Sequence, residues 1–194
     1  RRLALVAMLV LGVPATASAQ GIEEFPLAAG ADPTFITTGH DGRLWFANNG
    51  AAQIGRIGTN GLQLAPIATA PNPIDIAAGP DGAMFWTTPS QIQGRSASGV
   101  ARSTAVGSPE TAYAIATAAS ELYVTRIYYF SASPSASVSS YDPALGAMGW
   151  KGTAGIAPAT LSGPRLTDVT VGPDNMAWYT LYEGGSIMRG PLGR

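Results

Sequence analysis

The chain carries a repeated pattern of two short apolar segments joined by a polar turn. The pattern spans residues 36–47 and returns, with varying regularity, at 76–87, 115–125 and 169–180. Apolar, β-branched and aromatic residues lie on both sides of each turn, which is typical of a β-hairpin. Short strands that repeat at a period of about 40 residues are typical of the blades of a β-propeller. The sequence therefore predicts an all-β propeller.

Further strands are expected to follow each hairpin. A third strand is predicted at 52–57, with counterparts at 91–95 and 186–189. A fourth is predicted at 62–68, with a counterpart at 100–106. Four strands in each repeat match the composition of a propeller blade. We expect one domain, 20–194, with about four blades at roughly 31–70, 71–110, 111–164 and 165–190.

The third repeat is the least regular. A long β-branched and aromatic run at 123–130 precedes a serine-rich segment at 131–137, which we interpret as a polar loop. Strands are expected near 138–141 and 147–151, with a second loop at 154–164. Insertions in repeat folds lie in loops on one face, which is often the working face.

The turns and the residues beside them are interpreted as scaffold. Asp41-Gly42, Asp81-Gly82 and Asp174-Asn175 suit tight hairpin turns better than calcium binding, because their oxygens lack the spacing of an EF-hand loop. Arg56, Arg95 and Arg189 recur on the third strands and are interpreted as structure at the blade edge before anion binders. An aromatic residue at a fixed position in every repeat favours a core between blades over a sugar-stacking platform. The aromatic residues are Trp45, Phe46, Phe85, Trp86, Tyr123, Trp178 and Tyr179.

The two ends of the propeller leave two architectures open. Residues 21–27 resemble an outer strand without a blade, and they could pair with 186–189 to close a four-bladed ring. Alternatively, the chain is a piece of a larger propeller with six to seven blades. The first residue is Arg1 and not methionine, which favours the second architecture.

The first 19 residues have the organisation of a secretory signal peptide. Arg1-Arg2 precedes an apolar run at 3–13, and Ala17-Ser18-Ala19 provides a small-residue cleavage site. The apolar run is too short for a membrane-spanning helix, which needs about 20 residues. We expect export by the general or the twin-arginine route and a mature protein that is secreted or extracytoplasmic, with no membrane association after cleavage.

Composition excludes several classes of function. The formal net charge of −1 gives no electrostatic basis for binding nucleic acid. The absence of cysteine excludes a thiolate nucleophile, a disulfide framework and a cysteine metal site, and a single histidine excludes a centre with several histidines. We expect a monomer whose partner is a small molecule or a protein.

The repeat resembles that of the streptogramin B lyases, also called virginiamycin B lyases. Residues 33–48 followed by 53–57 contain the motif, and 22–27 resemble the outer strand of the same repeat. The resemblance covers most of 21–107 and 165–190. It implies a seven-bladed propeller that opens a cyclic depsipeptide at its ester linkage by elimination, with magnesium, a histidine base and a glutamate.

The family's functional positions hold other residue types in this chain. The only histidine, His40, lies in the first turn, where we do not expect a base. Tyr113 is a weak catalytic candidate, because the family also carries tyrosine at that position of another blade. The histidine position falls on Thr34, Ile74, Tyr113 and Thr167, and the glutamate position on Asn48, Thr88, Arg126 and Leu181.

Three functions follow as hypotheses. The chain is part of a lyase whose catalytic residues lie outside this segment, with magnesium as its cofactor, or it is a propeller that binds a ligand without catalysis. A propeller that processes a sugar or lactone around a channel metal is less favoured, because Asp75 and Asp168 are too few ligands. The candidate binding residues at the starts of inner strands and the ends of second strands are Thr34, Asn48, Asp75, Thr88, Tyr113 and Arg126.

Overall fold

The described part of the chain folds into four antiparallel sheets, which are blades of a β-propeller. The computed structural model describes residues 21–108, 110–118, 120–128, 135–143, 149–156, 166–181 and 185–190. The predicted signal peptide at 1–19 lies outside the described residues. The only helical element in the described part is a 3₁₀ turn at Pro80–Gly82, and no helix there is long and apolar enough to cross a membrane.

The first two sheets have four strands each, in the order of the chain. Each strand pairs with its sequence neighbour, as the short turns between them require. The first sheet contains β1 (Pro33–Thr38), β2 (Leu44–Asn48), β3 (Gln53–Ile57) and β4 (Ile67–Ala68). The second contains β5 (Ile76–Ala78), β6 (Met84–Thr88), β7 (Gln91–Arg95) and β8 (Ala101–Ala105).

The last two sheets continue the same antiparallel order. The third contains β9 (Glu110–Ala118), β10 (Glu121–Tyr128), β11 (Ser135–Asp142) and β12 (Gly149–Ile156). The fourth contains β13 (Leu166–Val171), β14 (Ala177–Leu181) and β15 (Ser186–Gly190).

Two strand predictions at the outer edge of the first blade are wrong. Residues 21–28 form no strand, and the segment lies against the first sheet instead of β15. There the Phe25 ring covers Gly61, and the Pro26 carbonyl accepts a hydrogen bond from Gln63 Nε2 at 2.9 Å. The predicted strand at 62–68 shortens to Ile67–Ala68, because Pro66 has no N–H to donate to a ladder.

The third blade has more strand than the sequence predicts. Its strands β11 and β12 take up residues 135–137 and 154–156, which were expected to be loop. Pairing is continuous from Tyr128 opposite Ser135, and Ala136 lies opposite Ile156. The serines therefore extend a hairpin, because alternating small and polar residues can occupy a strand once its partner supplies the ladder.

Three apolar clusters between adjacent blades form the core. One joins Trp45 to Trp86, the second is built around Phe85, and the third joins Tyr123 to Tyr179. The predicted burial of the aromatic residues is therefore correct at these positions. Trp178 is only partly buried, because no described sheet covers its face of the fourth blade.

Candidate functional site

The buried carboxylate of Asp75 ties the second blade to the third. Asp75 precedes β5, and its exposed fraction is 6 %. Its Oδ1 accepts the Ile76 N–H at 2.7 Å, and its Oδ2 accepts the Ile115 N–H from β9 at 2.8 Å. The bond to Ile115 crosses between blades, so Asp75 is a structural residue as well as a site candidate.

The Asp75 carboxyl binds its proton more tightly in the folded protein than an exposed aspartate does. Burial raises the pKa of this carboxyl to about 6, while the N–H groups of Ile115 and Ile76 oppose the shift. The negative charge of Asp168 adds to the increase in pKa. Asp168 occupies the corresponding place at the start of β13, where its Oδ1 accepts the Val169 N–H at 2.8 Å. The fold thus brings two carboxylates of separate blades into electrostatic contact.

Thr34 and Tyr113 also lie at the starts of inner strands. The Thr34 hydroxyl donates to the Ile74 carbonyl at 2.7 Å, which connects the first blade to the second. The Tyr113 carbonyl accepts the Thr87 hydroxyl at 2.5 Å, which connects the second blade to the third. The Tyr113 side chain packs beside the apolar cluster of the third and fourth blades.

The ends of the second strands hold Asn48, Thr88 and Arg126. Asn48 is 7 % exposed, and its Oδ1 is buried with no hydrogen-bond partner. The Thr88 hydroxyl is fully buried and bonds both the N–H and the carbonyl of Gln91, each at 3.2 Å, so it fixes the turn into β7. Of the three, Asn48 alone keeps an unsatisfied polar atom at its side-chain tip.

Arg126 is neutralised within its own blade. Its guanidinium forms an ion pair with Glu110, and its Nη1 donates to Ser139 Oγ at 3.1 Å. Its Nε is buried without a partner. Burial raises the pKa of the nearby Tyr141 phenol, and the positive charge of Arg126 partly offsets that increase. The positive charge of Arg126 is therefore balanced mainly by Glu110 within the third blade.

The predicted binding residues lie at one end of the sheets, and His40 lies at the other. Pro33, next to Thr34, pairs with Asn48, whereas His40 belongs to the turn that joins the opposite ends of these strands. His40 Nε2 lies 2.7 Å from the Gly79 carbonyl and so acts as a donor. Ligand binding by the six candidate residues stays a prediction. Several of their side chains already form hydrogen bonds within the scaffold.

The described residues do not fit a magnesium site. No group of three or more histidine, cysteine, aspartate or glutamate residues converges within the described part of the chain. Asp75 uses both oxygens on backbone N–H groups. Since magnesium in proteins needs carboxylate ligands, we assign no catalytic step to a metal held by these residues.

The sequence pairs Asp75 with Asp168 only as too few ligands for a channel metal, and it does not show that the charge of Asp168 raises the pKa of Asp75. A signal was present, because each aspartate precedes the apolar start of an inner strand, in Ile74-Asp75-Ile76 and Thr167-Asp168-Val169. The two aspartates therefore occupy the same place in the repeats of the second and fourth blades.

Solved structures with the same fold include streptogramin B lyases. A catalytically inactive virginiamycin B lyase from Staphylococcus aureus, solved with quinupristin, is 21% identical, with a TM-score of 0.60 over 86% of this chain and 57% of that one. A streptogramin B lyase structure is 17% identical, with a TM-score of 0.65 over 88% of this chain and 58% of that one. This chain therefore spans less than two thirds of the length of either protein.

Other propellers are similar as well. A gluconolactonase from Xanthomonas campestris is 14% identical, with a TM-score of 0.58 over 84% of this chain and 62% of that one. Extracellular domains of a one-component and a hybrid two-component system from B. thetaiotaomicron also have similar structures. No family model matches the chain. No curated protein matches it by sequence. The predicted resemblance to streptogramin B lyases is confirmed at the level of the β-propeller fold.

Proposed function

We propose that this chain forms part of a secreted propeller that binds a small cyclic ester and opens it by elimination, as streptogramin B lyases do. The observation that supports the proposal is the structural similarity to those lyases, with TM-scores of 0.60 and 0.65. The gluconolactonase, whose name denotes a lactone substrate, has a similar fold. A cyclic ester is the chemistry that these substrates share.

The described residues would supply the wall of the site. Thr34, Asp75 and Tyr113 lie at or beside the starts of three successive inner strands, and each takes part in a hydrogen bond between adjacent blades. Asn48 adds a buried carbonyl oxygen without a partner, which could accept a hydrogen bond from a ligand N–H. A small number of convergent polar groups in a mostly apolar wall is typical of small-molecule sites.

An elimination also needs a base that removes a proton from carbon. Neither histidine nor a carboxylate occupies the family's two functional positions in the described blades. Tyr113 is the one residue of a functional type at such a position. The proposal therefore places the base outside the described residues, and it assigns binding and orientation to the residues named here.

Mass spectrometry of the reaction separates elimination from hydrolysis. The full natural protein is incubated with quinupristin, with and without magnesium, and the products are separated by liquid chromatography. Elimination breaks the ester C–O bond and forms a carbon–carbon double bond, so the linear product keeps the mass of the cyclic compound. Hydrolysis would add the mass of one water. Hydrolysis, or an unchanged antibiotic, would contradict the lyase assignment.

A second candidate is a propeller that binds a ligand without transforming it. The residues at the family's functional positions in the described blades, which include no histidine and no carboxylate, favour this candidate. Calorimetric titration with quinupristin and with gluconolactone tests it. Saturable binding without product supports the second candidate, whereas no binding of either compound contradicts both.

A further inference from the structure

Three arginines recur on the third strands, and the structure gives them different partners. Arg56 and Arg189 lie opposite a tryptophan of the second strand, whereas Arg95 lies one position further along and pairs with Met84. Arg189 stacks on Trp178 at 5.4 Å and forms an ion pair with Asp174 at 3.2 Å. Arg56 and Arg95 have no acidic partner among the described residues. Of the three, Arg189 alone has an acidic partner within the described part of the chain, so its charge is balanced at the blade edge.

Arg56 is held in place but only partly satisfied. Its guanidinium stacks on Trp45 at 5.3 Å, and one terminal nitrogen donates to the Ala65 carbonyl at 2.7 Å. Its Nε is enclosed and has no hydrogen-bond partner. A guanidinium that is partly removed from water interacts more strongly with a nearby anion than one at an open surface.

Arg95 lies at the end of β7, next to the turn that begins at Ser96. No hydrogen bond or ion pair of the Arg95 side chain exists within the described part of the chain, and its guanidinium lies over Gly99. In that turn the Ser96 and Ser98 hydroxyls lie 2.9 Å apart. The turn therefore presents hydroxyl groups beside an arginine that has no partner.

Both arginines line one cleft between the first and second blades, with a volume of about 490 Å³. The cleft also contains His40, Asp41 and Arg43. Asp41 and Arg43 neutralise each other in an ion pair at 3.1 Å. Among the described side chains that line the cleft, the charges of Arg56 and Arg95 are therefore not balanced.

The cleft is unsuited to stacking a neutral sugar. Trp45 is its aromatic residue, but that ring is only 8 % exposed and already carries Arg56. The indole N–H donates to Asp41 Oδ1 at 3.0 Å. The remaining polar groups of the cleft include the arginine side chains and the serine hydroxyls, which are groups that bind anions.

We propose that this cleft binds a small molecule through a phosphate or sulfate group, held between Arg56 and Arg95 with hydroxyl contacts from the turn at Ser96. Guanidinium groups match tetrahedral oxyanions through paired, charge-assisted hydrogen bonds. The volume suits a small ligand. The cleft lies at the opposite end of the sheets from Asp75, so the proposal is independent of the proposed ring opening.

Titration calorimetry with inorganic phosphate, sulfate and glycerol phosphate tests the site. We expect saturable binding to the wild-type protein, and affinity lower by about tenfold or more in Arg95→Gln, which loses a charged hydrogen-bond donor. Arg189→Gln is the control, because it removes an arginine of another third strand whose charge Asp174 already balances, and its affinity should be unchanged. Tighter binding of glycerol phosphate than of phosphate would identify an esterified group as the ligand, and the reverse would identify the free ion.

Two results would overturn the proposal. One is the absence of saturable binding of all three anions to the wild-type protein at concentrations up to about 10 mM. The other is an equal loss in Arg95→Gln and Arg189→Gln, which would indicate non-specific screening. If Arg95→Gln fails to fold, the arginine Nε–H resonances of the wild-type protein decide. Phosphate should shift those of Arg56 and Arg95 but not that of Arg189, and shifts of all three or of none would contradict the site.

Discussion

Replacement of Asp75 by asparagine tests whether a buried carboxyl joins two blades at the channel. The pKa of this group rises from 3.8 to about 6 on folding, and burial is the main cause. Between about pH 4 and pH 6, Asp75 is therefore mostly protonated in the folded state and mostly ionised in the unfolded chain. The free energy of unfolding should therefore fall as pH rises from about 4 to about 6 and then level off. A shift of about two pKa units corresponds to about 3 kcal/mol.

Urea unfolding at a series of pH values measures this contribution. Asparagine does not titrate, so the difference in unfolding free energy between wild type and Asp75→Asn should change by about 3 kcal/mol between pH 4 and pH 7. Loss of the hydrogen bond from Ile115 lowers the whole Asp75→Asn curve by about 1–3 kcal/mol without altering this dependence. Asp41→Asn is the control and should retain the wild-type decrease. Parallel pH profiles for wild type and Asp75→Asn would refute the reasoning.

Two further predictions concern the scaffold. Gly79→Ala would place a methyl group 2.3 Å from the Phe85 ring, and it should lower the free energy of unfolding by about 1–3 kcal/mol, whereas Gly21→Ala, in open space, should have no effect. Urea titration measures both, and equal stability of the two variants would contradict the packing described. Trp45→Phe removes the indole N–H that bonds Asp41 at 3.0 Å, so it should cost about 1 kcal/mol and bring the pKa of Asp41 closer to its ordinary value. Proton titration by NMR measures that pKa, and an unchanged value would contradict the role of the bond.

The blades could be predicted from the sequence because each hairpin is formed by residues that are close together in the chain. Alternation of apolar residues around Asp41-Gly42 and its counterparts defines hairpins, and their repetition at a constant period defines a propeller. Burial of Phe85 and Trp86 followed from their fixed place in the repeat. Strand pairing within each blade joins residues that are close in sequence, so the pattern predicts the hairpins. It does not predict the short β4 or the extended β11 and β12.

Interactions between blades could not be predicted in the same way. The bond from Ile115 to Asp75 joins residues 40 apart, and the packing of two sheets sets its geometry. The residues at 22–27 have a strand-like composition, but composition does not identify a partner, and Phe25 packs on Gly61 instead. The three repeated arginines look equivalent in sequence, and only side-chain positions distinguish the paired Arg189 from Arg56.

A crystal structure of the natural protein with quinupristin bound would show directly where the ligand lies. We expect the antibiotic at the end of the sheets where the inner strands begin, in contact with residues that include Thr34, Asp75 or Tyr113. Antibiotic bound at the opposite end, near His40, or a complex in which these inner-strand residues contact no ligand, would contradict this expectation.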